Sequence, residues 1–209
     1  KLLNSLDIVK WNLHKSYLRE LSDRGVPVVP TLWVDGFSQS AFGDLSRALG
    51  AESLVVKPTV GANADHTYWI RDRRDQSQLK AAARVFADRE CMVQPFIESI
   101  VERGEYSLFY FNGTYSHAIQ KSPKSGDFRV QEEHGGTIKG VKPTPLQLDI
   151  GGRALDSVRE SLLYARVDLV EIKYNQWALI ELELIEPSLY FPYCAEAPSR
   201  FARAIDQCF

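Results

Sequence analysis

The segment with the clearest chemical content is residues 177–186, Trp-Ala-Leu-Ile-Glu-Leu-Glu-Leu-Ile-Glu. Side chains alternate faces along a β-strand, so Ile180, Leu182 and Leu184 point one way while Glu181 and Glu183 point the other. Two carboxylates at that spacing stand about 7 Å apart and repel unless a cation lies between them. The preceding apolar run carries Arg166 and Asp168, again two residues apart. If the two runs pair, three carboxylates and one guanidinium converge on one surface. Three hard oxygen donors suit Mg²⁺, which keeps its other positions for water and phosphate oxygens. An exposed sheet face carrying a ladder of salt bridges shows the same alternation, so the pattern alone leaves both readings open.

Other residues have the chemistry to hold an anion. Lys57 ends an apolar strand, directly before Pro58 and a small-residue loop (Gly61, Ala62, Asn63, Ala64) whose N–H groups can close over phosphate; an ordinary strand terminus looks the same. Lys15 lies on the first helix, by default a solvated lysine. Gln94, Pro95, Phe96 and Ile97 follow a strand and form an apolar crossing where an adenine can read main-chain groups; the alternative is a plain linker. Glu105 can accept from ribose hydroxyls. Residues 121–129 (Lys-Ser-Pro-Lys-Ser-Gly-Asp-Phe-Arg) are basic and turn-rich and run into Gln-Glu-Glu-His-Gly-Gly at 131–136. Lys121, Lys124 and Arg129 suit anionic groups, Arg129 through a bidentate contact, although a surface loop has this composition too.

The 209 residues are enough for one domain or two small lobes, and 44% hydrophobic with 25% charged residues is a globular composition. A net charge of −2 argues against a polybasic nucleic-acid or membrane binder. Cys91, Cys194 and Cys208 form no Cys-x-x-Cys pair, so neither a disulfide framework nor a zinc knuckle is indicated, and reduced thiols in a cytoplasmic protein are the expectation. No apolar run approaches the roughly 18 residues of a membrane span.

These residues need positioning elements. The spacing predicts a helix over 12–24, with Leu13, Tyr17, Leu18 and Leu21 on one face and Gly25 as its stop. Residues 26–34 read as extended, 38–49 as a short helix closed by Gly50, 53–57, 67–70 and 91–94 as strands, and 75–88 as a helix. Two β-rich runs, 106–111 and 115–122, flank Asn112-Gly113, a hairpin signal. A broad helix is predicted over 147–165, weakened by Gly151 and Gly152, then strands over 166–172 and 177–185 and a closing helix over 198–207. The order suggests a mostly antiparallel sheet with helices packed on one face, in an α+β protein.

Taken together, the set resembles the ATP-grasp ligases over nearly the whole chain. The Lys15 helix with Gly25-Val-Pro-Val-Val-Pro-Thr31 is similar to their entry helix and next strand. Val55-Val-Lys57-Pro58 is similar to the phosphate-binding lysine strand, and residues 94–97 to the adenine hinge. Residues 121–136 resemble a loop of glutathione synthetases and ribosomal-protein glutamate ligases, and Ala165-Arg-Val-Asp-Leu-Val170 a strand of D-alanine ligases. Residues 126–136 and 181–188 are similar to those of cyclo-ligases acting on O-ureidoserine. The resemblance implies an ATP-grasp fold, two α+β lobes with antiparallel sheets enclosing a nucleotide cleft: an entry helix in 1–25, a small lobe over 26–95 and a large lobe over 96–209. It also implies an N-terminal domain ahead of residue 1. Lys15 and Lys57 would then hold ATP phosphates, residues 94–97 adenine and Glu105 ribose. Asp168, Glu181 and Glu183 would ligate Mg²⁺, with Mn²⁺ as an alternative. Arg166, Arg129 and Lys121 would act on the transferring phosphoryl group or the substrate.

The implied reaction activates an amino-acid-like carboxylate as an acyl phosphate for attack by an amine or similar nucleophile. The implied partners are a small molecule and, through an exposed seam, a second copy in a homo-oligomer, with no nucleic acid and no membrane. An ATP-grasp phosphotransferase, and a nucleotide-binding module without turnover, stay open as alternatives. The chain departs from the family where Glu181-Leu-Glu183 replaces the usual Glu-x-Asn, which leaves Glu183 with Glu186 as a second register, and where the loop after Lys57 has a single glycine.

Overall fold

The computed structural model describes residues 2–124, 126–130 and 135–209; positions 131–134 of the basic loop lie outside them. Two compact units emerge, Val29–Ile97 and a larger one made of Lys1–Val28 with Glu98–Phe209.

The N-terminal segment of the larger unit forms α1 (Leu6–Leu13) and α2 (Tyr17–Asp23). The Ser5 hydroxyl caps α1 by accepting from the Ile8 N–H at 3.2 Å. The single helix predicted over 12–24 is instead two. His14 adopts an extended backbone, and its ring Nδ1 meets the Ser16 hydroxyl at 2.8 Å, closing a sharp turn. Leu13, expected on the buried face, is 54% exposed as a result, whereas Tyr17, Leu18 and Leu21 are buried. Gly25 follows α2 with a positive φ of 84°, as its role of stop requires.

The smaller unit is a four-stranded antiparallel sheet of β1 (Leu32–Val34), β2 (Leu54–Pro58), β3 (Tyr68–Ile70) and β4 (Cys91–Pro95), in the order β1-β4-β2-β3. Leu54, Val56 and Pro58 alternate inward along β2. Leu54 and Val56, with Ile70, Cys91 and Val93, meet Phe37, Phe42, Leu79 and Phe86, brought by α3 (Phe42–Leu49), α4 (Gln76–Val85) and their flanks. Ser38 caps the entry to α3, and Gly50 ends it in the left-handed region, both as expected.

The larger unit holds α5 (Ser99–Arg103), β5 (Glu105–Phe111), β6 (Thr114–Ser122), β7 (Thr137–Val141), α6 (Pro145–Asp156), β8 (Tyr164–Lys173), β9 (Gln176–Glu183) and α7 (Ala197–Asp206). Its sheet is antiparallel throughout, ordered β7-β6-β5-β8-β9. Positive φ at Asn112 and Gly113 makes the predicted β5–β6 hairpin, and Asn175 turns β8 into β9 in the same conformation. The helix predicted over 147–165 starts earlier and ends sooner. Thr144 and Gln147 form a reciprocal capping box with Pro145 in the first turn, and after Asp156 the chain leaves the helix to bury Leu162 and Leu163 before β8. Among the described residues no helix is long and apolar enough to cross a membrane.

Candidate active site

The β8–β9 ladder sets Arg166 opposite Glu183 and Asp168 opposite Glu181. All four share one sheet face, because each pair is two residues from the next along both strands. Beyond Asp168 the register skips Ile180, a bulge next to the carboxylates. On the other side of β8, Ser107 of β5 stands opposite Asp168, and Glu105 stands opposite Lys121 of β6. Four strands thus deliver Glu105, Ser107, Lys121, Arg166, Asp168, Glu181 and Glu183 to one surface. Lys15, in the break between α1 and α2, reaches the same array.

Anions and cations interleave there. Lys15 Nζ lies 2.5 Å from Glu181 Oε1. The Arg166 guanidinium forks onto Asp168, with Nε at 3.1 Å from both oxygens and a terminal nitrogen at 2.9 Å, and also pairs with Glu183. Lys121 pairs with Glu105 and lies 3.5 Å from Asp168 Oδ2. The Ser107 hydroxyl donates to Asp168 Oδ1 at 2.5 Å.

Burial shifts these groups against their neighbours. Burial pushes the Asp168 carboxyl up, but Arg166, Lys121 and the Ser107 hydroxyl outweigh it and hold Asp168 below its ordinary range. For Glu105 burial prevails over the pull of Lys121, and its pKa is raised. Glu183 is pushed up to about 7, first by burial and then by Glu181 and Asp168, with Arg166 opposing. Burial works against the charge on Lys15, yet Glu181, with Glu183 and Asp168 behind it, more than compensates and its pKa is raised.

Asp168, Glu181 and Glu183 each offer an oxygen, and these atoms all lie within 4.8 Å of one another. Oxygens on opposite sides of one magnesium ion stand about 4.2 Å apart, so this all-oxygen donor set fits a small hard cation after a slight closure. Glu186 lies past the end of β9.

Lys57 and residues 94–97 belong to the smaller unit. Lys57, half-buried near the end of β2, stands opposite Met92. The loop after it turns through Asn63, Ala64 and His66, all with positive φ. Gln94 is buried and donates to the Thr31 hydroxyl at 2.8 Å, and Pro95 pairs with Leu54. Phe96 bonds Ser53 O through its N–H and stacks on Trp69 at 4.0 Å, and Ile97 is buried. On the other side β1 pairs with β4 only as far as Val93. Arg129 is not brought into the carboxylate array; its guanidinium forks onto Asp127 within its own loop, at 2.7 Å for the shortest contact.

Three neighbours of the carboxylate array escaped the sequence. Ser107 is one polar residue in an aromatic strand, with no periodic signal. Asn12 and Tyr17 bond the main chain of Leu182 and Leu184 from 165 to 172 residues away, a relation that only the fold reveals.

No family model matches the chain. It is similar to an ATP-grasp ligase, PsnB, solved with a precursor variant, Mg and ADP: 17% identity, a TM-score of 0.70, and coverage of 99% of this chain and 62% of that one, a likeness of fold. It is also 31% identical over 219 residues to the cycloserine biosynthesis protein DcsG of Streptomyces lavendulae, covering 98% of this chain and 72% of that protein. The chain belongs to the ATP-grasp ligases, enzymes that use ATP to form carbon–nitrogen bonds. Within that class, the crystal structure of D-cycloserine synthetase DcsG matches all of this chain and 74% of its own, with a TM-score of 0.87 and 29% identity.

Proposed function

We propose that this ligase activates the carboxylate of an amino-acid-like small molecule as an acyl phosphate, and that an amine or similar nucleophile then attacks the acyl carbon and releases phosphate. The observation that carries this reading is the interleaving of three carboxylates with Lys15, Lys121 and Arg166 on one sheet face. Phosphoryl transfer asks of a protein mainly positioning and charge neutralisation, and this array provides both. Asp168, Glu181 and Glu183 would hold Mg²⁺ or Mn²⁺, which when bound supplies neutralisation of phosphate charge. Lys15 and Arg166, released from their carboxylates, turn their charge to the transferring phosphoryl group. Lys121 serves the same end from β6. Lys57 would take phosphate oxygens, residues 94–97 adenine, Glu105 ribose and Arg129 a substrate anion. The similarity to DcsG supports an amino-acid-derived substrate.

Hydroxylamine trapping tests the proposal. ATP, Mg²⁺ and a panel of amino acids and O-substituted serines, O-ureidoserine included, are incubated with the protein and hydroxylamine. An acyl phosphate yields a hydroxamate in step with ADP. ADP formation with a stable phosphorylated hydroxyl product and no hydroxamate would make the protein a phosphotransferase instead.

A further inference from the structure

Among the described residues β9 is the last strand of its sheet, and on its outer side it meets only an isolated bridge between Leu179 and Val28. An open edge normally leaves N–H and C=O groups to water or to another chain. Here the N-terminal segment fills it. Asn12 donates its amide to Leu182 O at 2.8 Å and accepts from Leu184 N–H at 2.9 Å. The Tyr17 hydroxyl accepts from Leu182 N–H at 3.0 Å. Further along, Pro27 O accepts from Leu179 N–H at 2.8 Å. Asn12, Tyr17 and Leu182 are all buried.

Leu182 is the residue between Glu181 and Glu183, and both of its main-chain polar groups are held by these two side chains. Its peptide planes fix the directions in which the neighbouring carboxylates leave the strand. The break between α1 and α2 makes this grip possible. Five residues of continuous helix would set positions 12 and 17 about 140° apart around the axis, too far to reach one residue from the same side. The turn at residues 14–16 brings them together and presents Lys15 to Glu181.

We propose that Asn12 and Tyr17 are positioning residues for the metal carboxylates: by holding Leu182 from the open edge of β9 they fix the spacing of Glu181 and Glu183 that a divalent ion requires. The inference rests on the metal site proposed above. Outer partners of metal ligands typically change metal affinity by about 10–100-fold, and the same scale applies here.

The test is Mn²⁺ binding, followed by the electron paramagnetic resonance signal of the free ion, in the parent chain and in Tyr17→Phe, Asn12→Ala and Leu21→Ala. Leu21 is buried in α2, so its truncation thins the core beside the same segment and leaves both edge contacts in place. Tyr17→Phe and Asn12→Ala should weaken Mn²⁺ binding at least about tenfold, while Leu21→Ala, at an equal or larger loss of thermal stability, should bind Mn²⁺ as the parent does. If Tyr17→Phe folds and binds Mn²⁺ like the parent, or if Leu21→Ala weakens binding as much, the positioning role is overturned and the metal site stands. A parent chain that binds no Mn²⁺, with or without ATP, would overturn the metal site and this inference together.

Discussion

Asp168 stands directly opposite Glu181 across the β8–β9 ladder, yet the two carboxylates are held by different cations: Asp168 by Arg166 and Lys121 from within the sheet, Glu181 by Lys15 from outside it. Like charges directly opposite one another destabilise a sheet, so the ligand-free arrangement depends on these counter-ions. The same cations are the groups that phosphate oxygens would attract. A divalent ion on the carboxylates and a nucleotide on the cations therefore assist each other, because each takes over the partner that the other leaves.

Lys15→Met separates the two halves of that exchange. Removing the ammonium frees Glu181 from a partially exposed ion pair worth about 1 kcal/mol, so Mn²⁺ should bind the nucleotide-free variant up to about fivefold more tightly. The KM for ATP should move the other way and rise about tenfold or more. Weaker Mn²⁺ binding with an unchanged KM would show that Lys15 braces the metal site and does not serve phosphate.

Glu181→Gln and Asp168→Asn should each lower metal-dependent ADP formation at least about 100-fold, but they differ in stability. Glu181 is 31% exposed and pairs with the partly exposed Lys15, so the melting temperature of its variant should stay close to that of the parent. Asp168 is 1% exposed and answers Arg166, Lys121 and Ser107 together. Leaving those cations without their central anion should cost on the order of 3 kcal/mol, read as roughly 10 °C in a thermal melt. Glu181→Gln is the cleaner probe of chemistry.

The two adjacent glycines of α6 should respond with opposite signs. Gly151 packs against the Tyr110 hydroxyl, which a Cβ would overlap, whereas nothing lies within 4 Å of a Cβ at Gly152. Gly151→Ala should destabilise by about 1–3 kcal/mol, and Gly152→Ala should stabilise by about 0.5–1 kcal/mol. Chemical denaturation of the two variants checks both; equal effects would mean that α6 shifts to make room.

Much of the site was legible because period-2 alternation needs only local information. Glu181 with Glu183 and Arg166 with Asp168 are visible as pairs before any fold is known, and the Asn-Gly hairpin and the glycines at 25 and 50 mark turns by their own conformational freedom. What was not legible depends on contacts distant in sequence. The helix period through 12–24 gave no sign of the break at residues 14–16, because the reward for breaking lies on β9. The edge strand β7, with its short Thr-Ile-Lys-Gly-Val run and mostly exposed residues, lacks an apolar stripe. The end of α6 was overrun because Leu162 and Leu163 continue an apolar pattern while serving the approach to β8.

The pH response of Glu183 joins stability and binding with opposite signs. Burial, then Glu181 and Asp168, raise this carboxyl to about 7 despite Arg166, whereas an unfolded glutamate titrates near about 4.3. The folded chain therefore holds the proton more tightly. That contribution to stability is fully present below about 4.3 and is lost as pH rises through 7. The ligand-free protein should melt at progressively lower temperature between pH 5 and 8. Glu183→Gln should remove on the order of 2 kcal/mol of that dependence, leaving the part due to Glu105, which burial also raises, and the opposing part due to His117, whose pKa burial lowers. A divalent ion needs the ionised carboxylate, so Mn²⁺ affinity should climb by up to about tenfold per pH unit below 7 and level off above it. Melting curves and Mn²⁺ titrations across pH 5–8 read both trends. A melting temperature that rises with pH in the parent, or a Glu183→Gln curve parallel to it, would place the proton on another group.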